Sequence, residues 1–194
     1  MRLGVMVSGS GTLLDAMVTA GLDVAAVLVD RRCAAEQVAE RHGLPLRVVE
    51  RSDFSAGFDR DGYTREVVAA WDEEGLDLIA MAGWGTVLGA PAFEARPGRI
   101  INTHPALLPS FKGWHAVRAA LDAGVKVTGC TVHVATLEVD DGPILAQEAV
   151  PVLDDDDEAS LHERIKAVER RIYPEVLADV LNRGWVLEEG SPGR

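Results

Sequence analysis

Cysteine is scarce in this chain, with two among 194 residues. Cys33 and Cys130 stand far apart without C-x-x-C spacing, which excludes a disulfide framework and predicts two buried thiols. No set of His, Cys and acidic residues has metal-ligand spacing, so no metal is expected. Long apolar runs are missing as well. None approaches the roughly 20 residues that a bilayer-spanning helix needs. The amino terminus reaches Ser8 and Gly9 after a short apolar stretch, too soon for the core of a secretory signal, and a cytoplasmic location is expected. Basic residues are outnumbered: 19 Lys and Arg against 31 Asp and Glu give a net charge of −12. Such a field repels phosphodiester backbones, which argues against nucleic acid as a partner. A small anion remains possible where backbone N–H groups form a local nest. No internal repeat is visible.

What is present is enough apolar material for one sizeable core, 47% of the chain. One domain is expected over residues 1–188, with a frayed tail at 189–194, as a monomer or homodimer. Apolar, β-branched runs at 3–7, 24–29, 46–49, 78–81 and 99–102 read as strands. Leu13 and Met17 stand at helical spacing after Thr12, and Tyr63, Val67 and Trp71 repeat it before Gly75. This alternation implies an α/β fold: a Rossmann-like, mostly parallel open sheet with helices on both faces. Beyond Asn102 the order changes to a Pro-rich loop, a short helix at 117–121 and extended stretches at 127–134 and 144–150, so the sheet should become mixed. Leu161, Ile165, Val168 and Ile172 then mark a closing amphipathic helix that runs towards Leu181 and ends at Gly184. The acidic run 154–158 suits the positive end of that helix better than a metal.

Three segments are candidates for chemistry. Ser8-Gly9-Ser10-Gly11-Thr12 links the first strand to the first helix, where small residues let backbone N–H groups approach a phosphate. A plain strand-to-helix turn would look similar. A dinucleotide fingerprint, with Asp30 on a ribose, fails because Leu14 stands where its third glycine belongs, and a Walker loop fails for want of a lysine. Asn102 and His104, two apart at a strand end, project from one face. Their amide and imidazole suit a carbonyl that becomes a tetrahedral oxyanion, although a lone histidine is more often structural. Asp140-Asp141-Gly142-Pro143 reads first as a hairpin turn, and a carboxylate there could also stabilise a neighbouring imidazolium. His115 and His133 suggest packing or supporting roles, whereas His42 and His162 suggest the surface.

Ile101-Asn102-Thr103-His104-Pro105-Ala106-Leu107-Leu108-Pro109, then Gly113, His115 and Asp140-Asp141-Gly142-Pro143, resemble the folate-dependent formyltransferase family. The small-residue loop, Ala82-Gly83 and Glu169-Arg170-Arg171-Ile172-Tyr173-Pro174 extend the likeness from the first strand to the last helix. It implies transfer of the formyl group of 10-formyltetrahydrofolate, as co-substrate, to the amine of 5'-phosphoribosylglycinamide in de novo purine (IMP) synthesis. It also implies catalytic roles for Asn102, His104 and Asp140, the last by the family's D-x-G-P register, with Asp141 in the variable slot. Gly11, Thr12, Leu13, Lys166 and Glu169 match acceptor positions. Arg60, Gly85, Thr86, Val87, Leu88, Asn102, Thr136, Leu137, Glu138, Val139 and Asp140 match folate positions. In two places the chain departs from the family pattern: Leu13 replaces a polar residue, and Trp84-Gly85-Thr86-Val87-Leu88 lacks an arginine usual after Ala82-Gly83. Relatives acting on a charged tRNA would carry a further carboxyl-terminal domain and basic surface. The hydrolase branch would carry an amino-terminal regulatory domain. Formylation of a nucleotide sugar, or a non-catalytic nucleotide-binding module, stay open as alternatives.

Overall fold

Strands that are to be buried on both faces need continuous apolar sequence, and the first half of the chain supplies it. In the computed structural model, which describes residues 1–187, β1 (Leu3–Val7) is buried throughout and β2 (Val24–Val29) at every position but Ala25. With β3 (Leu46–Val48) and β4 (Leu78–Met81) they lie in the order β3-β2-β1-β4, and every pairing among these four is parallel. The intervening helices are α1 (Thr12–Thr19), α2 (Ala35–Arg41) and α3 (Arg60–Glu73), and α4 (Ala90–Ala95) follows β4. The residues read as one domain divide into two compact units, the first Met1–Ile101 and the second beginning at Asn102, and β5 (Ile100–His104) runs through that boundary.

In the second unit α5 (Ala116–Asp122) precedes β6 (Val127–Val134) and β7 (Ile144–Pro151), which pair antiparallel, and α6 (Glu158–Arg183) closes it. The fold is therefore α/β with a mostly parallel sheet that becomes mixed, as the alternation implies. Sequence periodicity passes over α2 and α4, which have seven and six residues, because fewer than two turns leave no measurable period. It also ends the fifth strand at 102, whereas Thr103 and His104 are part of it. Cys130 is buried as expected, but Cys33 is only partly so. The tail expected at 189–194 lies outside the described residues.

The acidic run before α6 does the work of a cap. The Asp157 side chain accepts from Ser160 N at 2.8 Å, and Ser160 Oγ accepts from Asp157 N at 3.0 Å. Asp156 takes both arms of Arg164 at 2.7 Å, which holds its carboxyl far below the usual carboxylate range. Leu161, Ile165 and Ile172 form the expected buried stripe, and Gly184 ends the helix at φ 83°. Asp157→Ala is expected to lower unfolding free energy by about 1 kcal/mol, measured by urea denaturation. An unchanged midpoint would assign the stability of α6 to packing alone.

Candidate active site

β5 carries its chemistry by alternation. Asn102 and His104 share one face, while Thr103 on the other sits 3.3 Å from Cys130 Sγ and hydrogen-bonds Glu169 of α6. His104 is 5% exposed. Its Nδ1 lies 3.2 Å from Asp140 Oδ2, and its Nε2 donates to the Phe111 carbonyl at 2.7 Å. Both ring nitrogens thus face acceptors, an arrangement that the doubly protonated imidazolium satisfies fully.

Asp140 is also buried, in the left-handed region at φ 53°. Burial alone would push its carboxyl up. His133, the Gly113 N–H at 2.8 Å and the neighbouring imidazole charges outweigh that, and hold it below the ordinary carboxylate range. Asp141, its rival in sequence, is exposed and pairs with Lys112 instead. The turn depends on Gly142, where a Cβ would run into the Val134 carbonyl oxygen. Gly142→Ala is expected to cost about 1–3 kcal/mol of stability by overpacking and to cut activity by displacing Asp140. Parallel melting and rate measurements check this, and a variant with unaltered melting and rate would refute it.

His133 is the partner that sequence reasoning assigned only to a supporting class. Its Nδ1 donates to Val134 O at 3.0 Å, and its Nε2 stands 3.3 Å from Asn102 Nδ2 and 3.5 Å from Asp140 Oδ1. The β6–β7 register shifts between Val132 and His133, an irregularity of the kind that re-aims a side chain. No local signal in the sequence marks that shift. Thr131 and Gln147 were also missed. Thr131 Oγ1 donates to Ala106 O at 2.7 Å and accepts from Leu108 N at 3.1 Å. Gln147 Nε2 donates to Leu108 O at 2.8 Å. Together they pin the backbone of the loop leaving His104.

In the first unit, Gly11 caps α1 at φ 74°, and a Cβ there would lie 2.8 Å from Ala35 Cα. Asp15 N is the first helical donor to find a backbone partner, bonding Gly11 O at 2.9 Å, so by helix geometry the N–H groups of Thr12, Leu13 and Leu14 point out of the end. Leu13 and Leu14 bury their side chains, at 6% and 0% exposure, so Leu13 can offer a ligand only its backbone, and position 14 is core rather than a fingerprint glycine. Asp30 is wholly buried. It takes Arg31 Nε at 2.9 Å and Nη2 at 3.0 Å, and the Thr86 hydroxyl at 2.7 Å. Both oxygens are engaged, which leaves little for a ribose. The same network accounts for the departure at 85–86: Thr86 turns inward to Asp30, and Gly85 leaves room for Arg31 and for the Ser8 hydroxyl, which accepts from Gly85 N at 2.6 Å.

The remaining expected positions divide. Lys166 lies 3.7 Å from Glu163, and burial raises the Glu169 carboxyl above its usual range. Arg60 opens α3 on the surface. Leu137, Glu138 and Val139 are exposed, and Thr136 Oγ1 donates to Glu138 O at 2.9 Å. His42 is paired with Asp15 at 2.7 Å. His162 is half-buried rather than on the solvent side, and desolvation lowers its pKa. His115, expected to pack, is instead exposed at the start of α5, where φ 63° turns the chain. Among the described residues no helix is long and apolar enough to cross a membrane.

Comparison with known proteins gives a consistent result. The profile of a family described as "Formyl transferase" matches residues 1–177. Phosphoribosylglycinamide formyltransferase of Mycobacterium tuberculosis is 44% identical over 188 residues, covering 94% of this chain and 86% of that one. Among solved structures, glycinamide ribonucleotide transformylase 1 of Symbiobacterium toebii has a TM-score of 0.83 at 41% identity, over 90% of this chain and 84% of that one. Phosphoribosylglycinamide formyltransferase of Bacillus halodurans has a TM-score of 0.87 at 34% identity, over 96% and 98%.

Proposed function

Because the chain belongs to the formyl transferase family, we propose that it transfers the formyl group of 10-formyltetrahydrofolate to the amine of 5'-phosphoribosylglycinamide, a step of purine (IMP) synthesis. The observation that carries this reading is the buried His104–Asp140 pair at 3.2 Å, with Asn102 on the same strand face. The acceptor amine attacks the formyl carbon, and the carbonyl becomes a tetrahedral oxyanion. The amide of Asn102 and protonated His104 donate to that oxygen. Asp140 sustains the charge on His104. As the carbon–nitrogen bond to the folate breaks, a proton lost by the attacking amine passes to the leaving nitrogen. Positioning and electrostatics suffice, and no covalent enzyme intermediate is needed.

The binding roles follow the same reading. The N–H groups of Gly11, Thr12 and Leu13 hold the acceptor's phosphate, and Lys166 and Glu169 address its other end. Arg60, Gly85, Thr86, Val87, Leu88, Thr136, Leu137, Glu138 and Val139 serve the folate together with Asn102 and Asp140. Thr86 does so through its backbone, because its hydroxyl is committed to Asp30. The protein works in the cytoplasm without a metal, as a monomer or homodimer, on small molecules rather than nucleic acid or membranes. The test is an assay of folate-coupled formylation across several amines. Product with phosphoribosylglycinamide alone is expected. Preferential formylation of a nucleotide sugar would overturn the acceptor, and no transfer to any amine would overturn the reaction.

A further inference from the structure

One surface of the first unit is not absorbed by this reading. Phe54 is 64% exposed, yet it is flanked by two guanidinium groups, Arg51 at 4.6 Å and Arg31 at 5.9 Å from the ring centre. Arg51 also covers Phe58 at 4.2 Å, and Phe58 O accepts from the backbone N–H of Arg60 at 2.9 Å. Arg31 is held rigidly by its two bonds to Asp30, while its side chain remains 42% exposed. Arg51 donates Nε to the backbone of Asp53 at 2.9 Å, and among the described residues it has no ion-pair partner. The Asp53 carboxylate is engaged by Ser55 N at 2.7 Å. On a chain of net charge −12 this grouping of cations around an exposed ring is a local exception.

A guanidinium stacked on a ring keeps its in-plane donors free for carboxylates, and holding it in place reduces the entropy lost on binding. The surface abuts two expected folate positions: Arg60 follows Phe58 in the chain, and a Cβ on Gly85 would lie 3.1 Å from Arg31 Nη2. Beyond its aminobenzoyl ring a folate carries glutamates linked through their γ-carboxyls, each with a free α-carboxylate. We propose that Arg31, Phe54 and Arg51 form a subsite for this oligo-γ-glutamyl tail, an inference that rests on the folate reading above. The tail's carboxylates pair with the two arginines, and its methylenes lie on the Phe54 ring.

The experiment compares 10-formyltetrahydrofolate bearing one glutamate with the form bearing five, in steady-state assays at low salt. The wild-type protein should show a KM about tenfold lower for the longer tail, the equivalent of one good charged contact. Arg51→Met and Phe54→Ala should each remove most of that preference while leaving kcat, and the KM for the single-glutamate form, within about twofold. Equal KM values for the two forms in the wild type, or a preference retained in both variants, would overturn the subsite and leave the formyl-transfer reading intact. A protein that turns over neither form fails the folate reading, and this inference falls with it.

Discussion

Replacing His104 with alanine is expected to lower kcat by about 10²–10³-fold, the size found when one oxyanion donor is removed elsewhere. The ring is 5% exposed and holds two partners, so its loss also leaves the Asp140 carboxylate and the Phe111 carbonyl short of a donor. A stability loss of about 1–3 kcal/mol should accompany the kinetic one. Melting curves therefore need to be read beside the rates, at a temperature where the variant is folded. Asn102→Ala should reproduce the kinetic loss with a smaller effect on stability, because Asn102 is only partly buried. Turnover within a few-fold of wild type in both variants would remove the oxyanion role.

Asp140→Asn is the second large effect expected. The substitution keeps shape but removes the charge 3.2 Å from His104, and a rate loss of about 10²-fold or more is expected for a disrupted proton-transfer pair. A carboxylate beside an imidazole favours the charged ring, so the alkaline limb of the pH–rate profile should move to lower pH in the variant. Stability offers an independent readout. The folded protein holds the Asp140 carboxyl below its ordinary range, so the group contributes stability above that range and loses it as the pH falls through the folded value. The asparagine variant should lack this part of the acid dependence. Asp141→Asn, on an exposed residue paired with Lys112, should leave the pH–rate profile unchanged. A shifted profile there and none in Asp140→Asn would exchange the two roles.

Much of the architecture is legible in the sequence because burial on both faces demands continuous apolar strands, and β1, β2, β4 and β6 begin and end where those runs do. The same-face placement of Asn102 and His104 follows from strand alternation. What alternation does not give is the partner. Asp140 comes from a turn well downstream in the chain, and only the closure of β6 against β7 and the space above Gly142 bring it to His104. His133 was ambiguous because a register irregularity, invisible in composition, decides which way it points. The inward turn of Thr86 was hidden for a related reason: its partner, Asp30, lies in another strand segment, and the bond depends on a tertiary contact.

The carbonyl of Phe111 has a bearing on where His104 spends its influence. Nε2 already donates to a carbonyl oxygen at 2.7 Å, so an incoming formyl oxygen exchanges one neutral acceptor for another and gains almost nothing at that contact. The advantage appears only once the oxygen becomes anionic, because a negative acceptor outcompetes an amide carbonyl for the same proton. Occupancy by the chain's own backbone thus makes this histidine nearly indifferent to the bound substrate and selective for the reacting one.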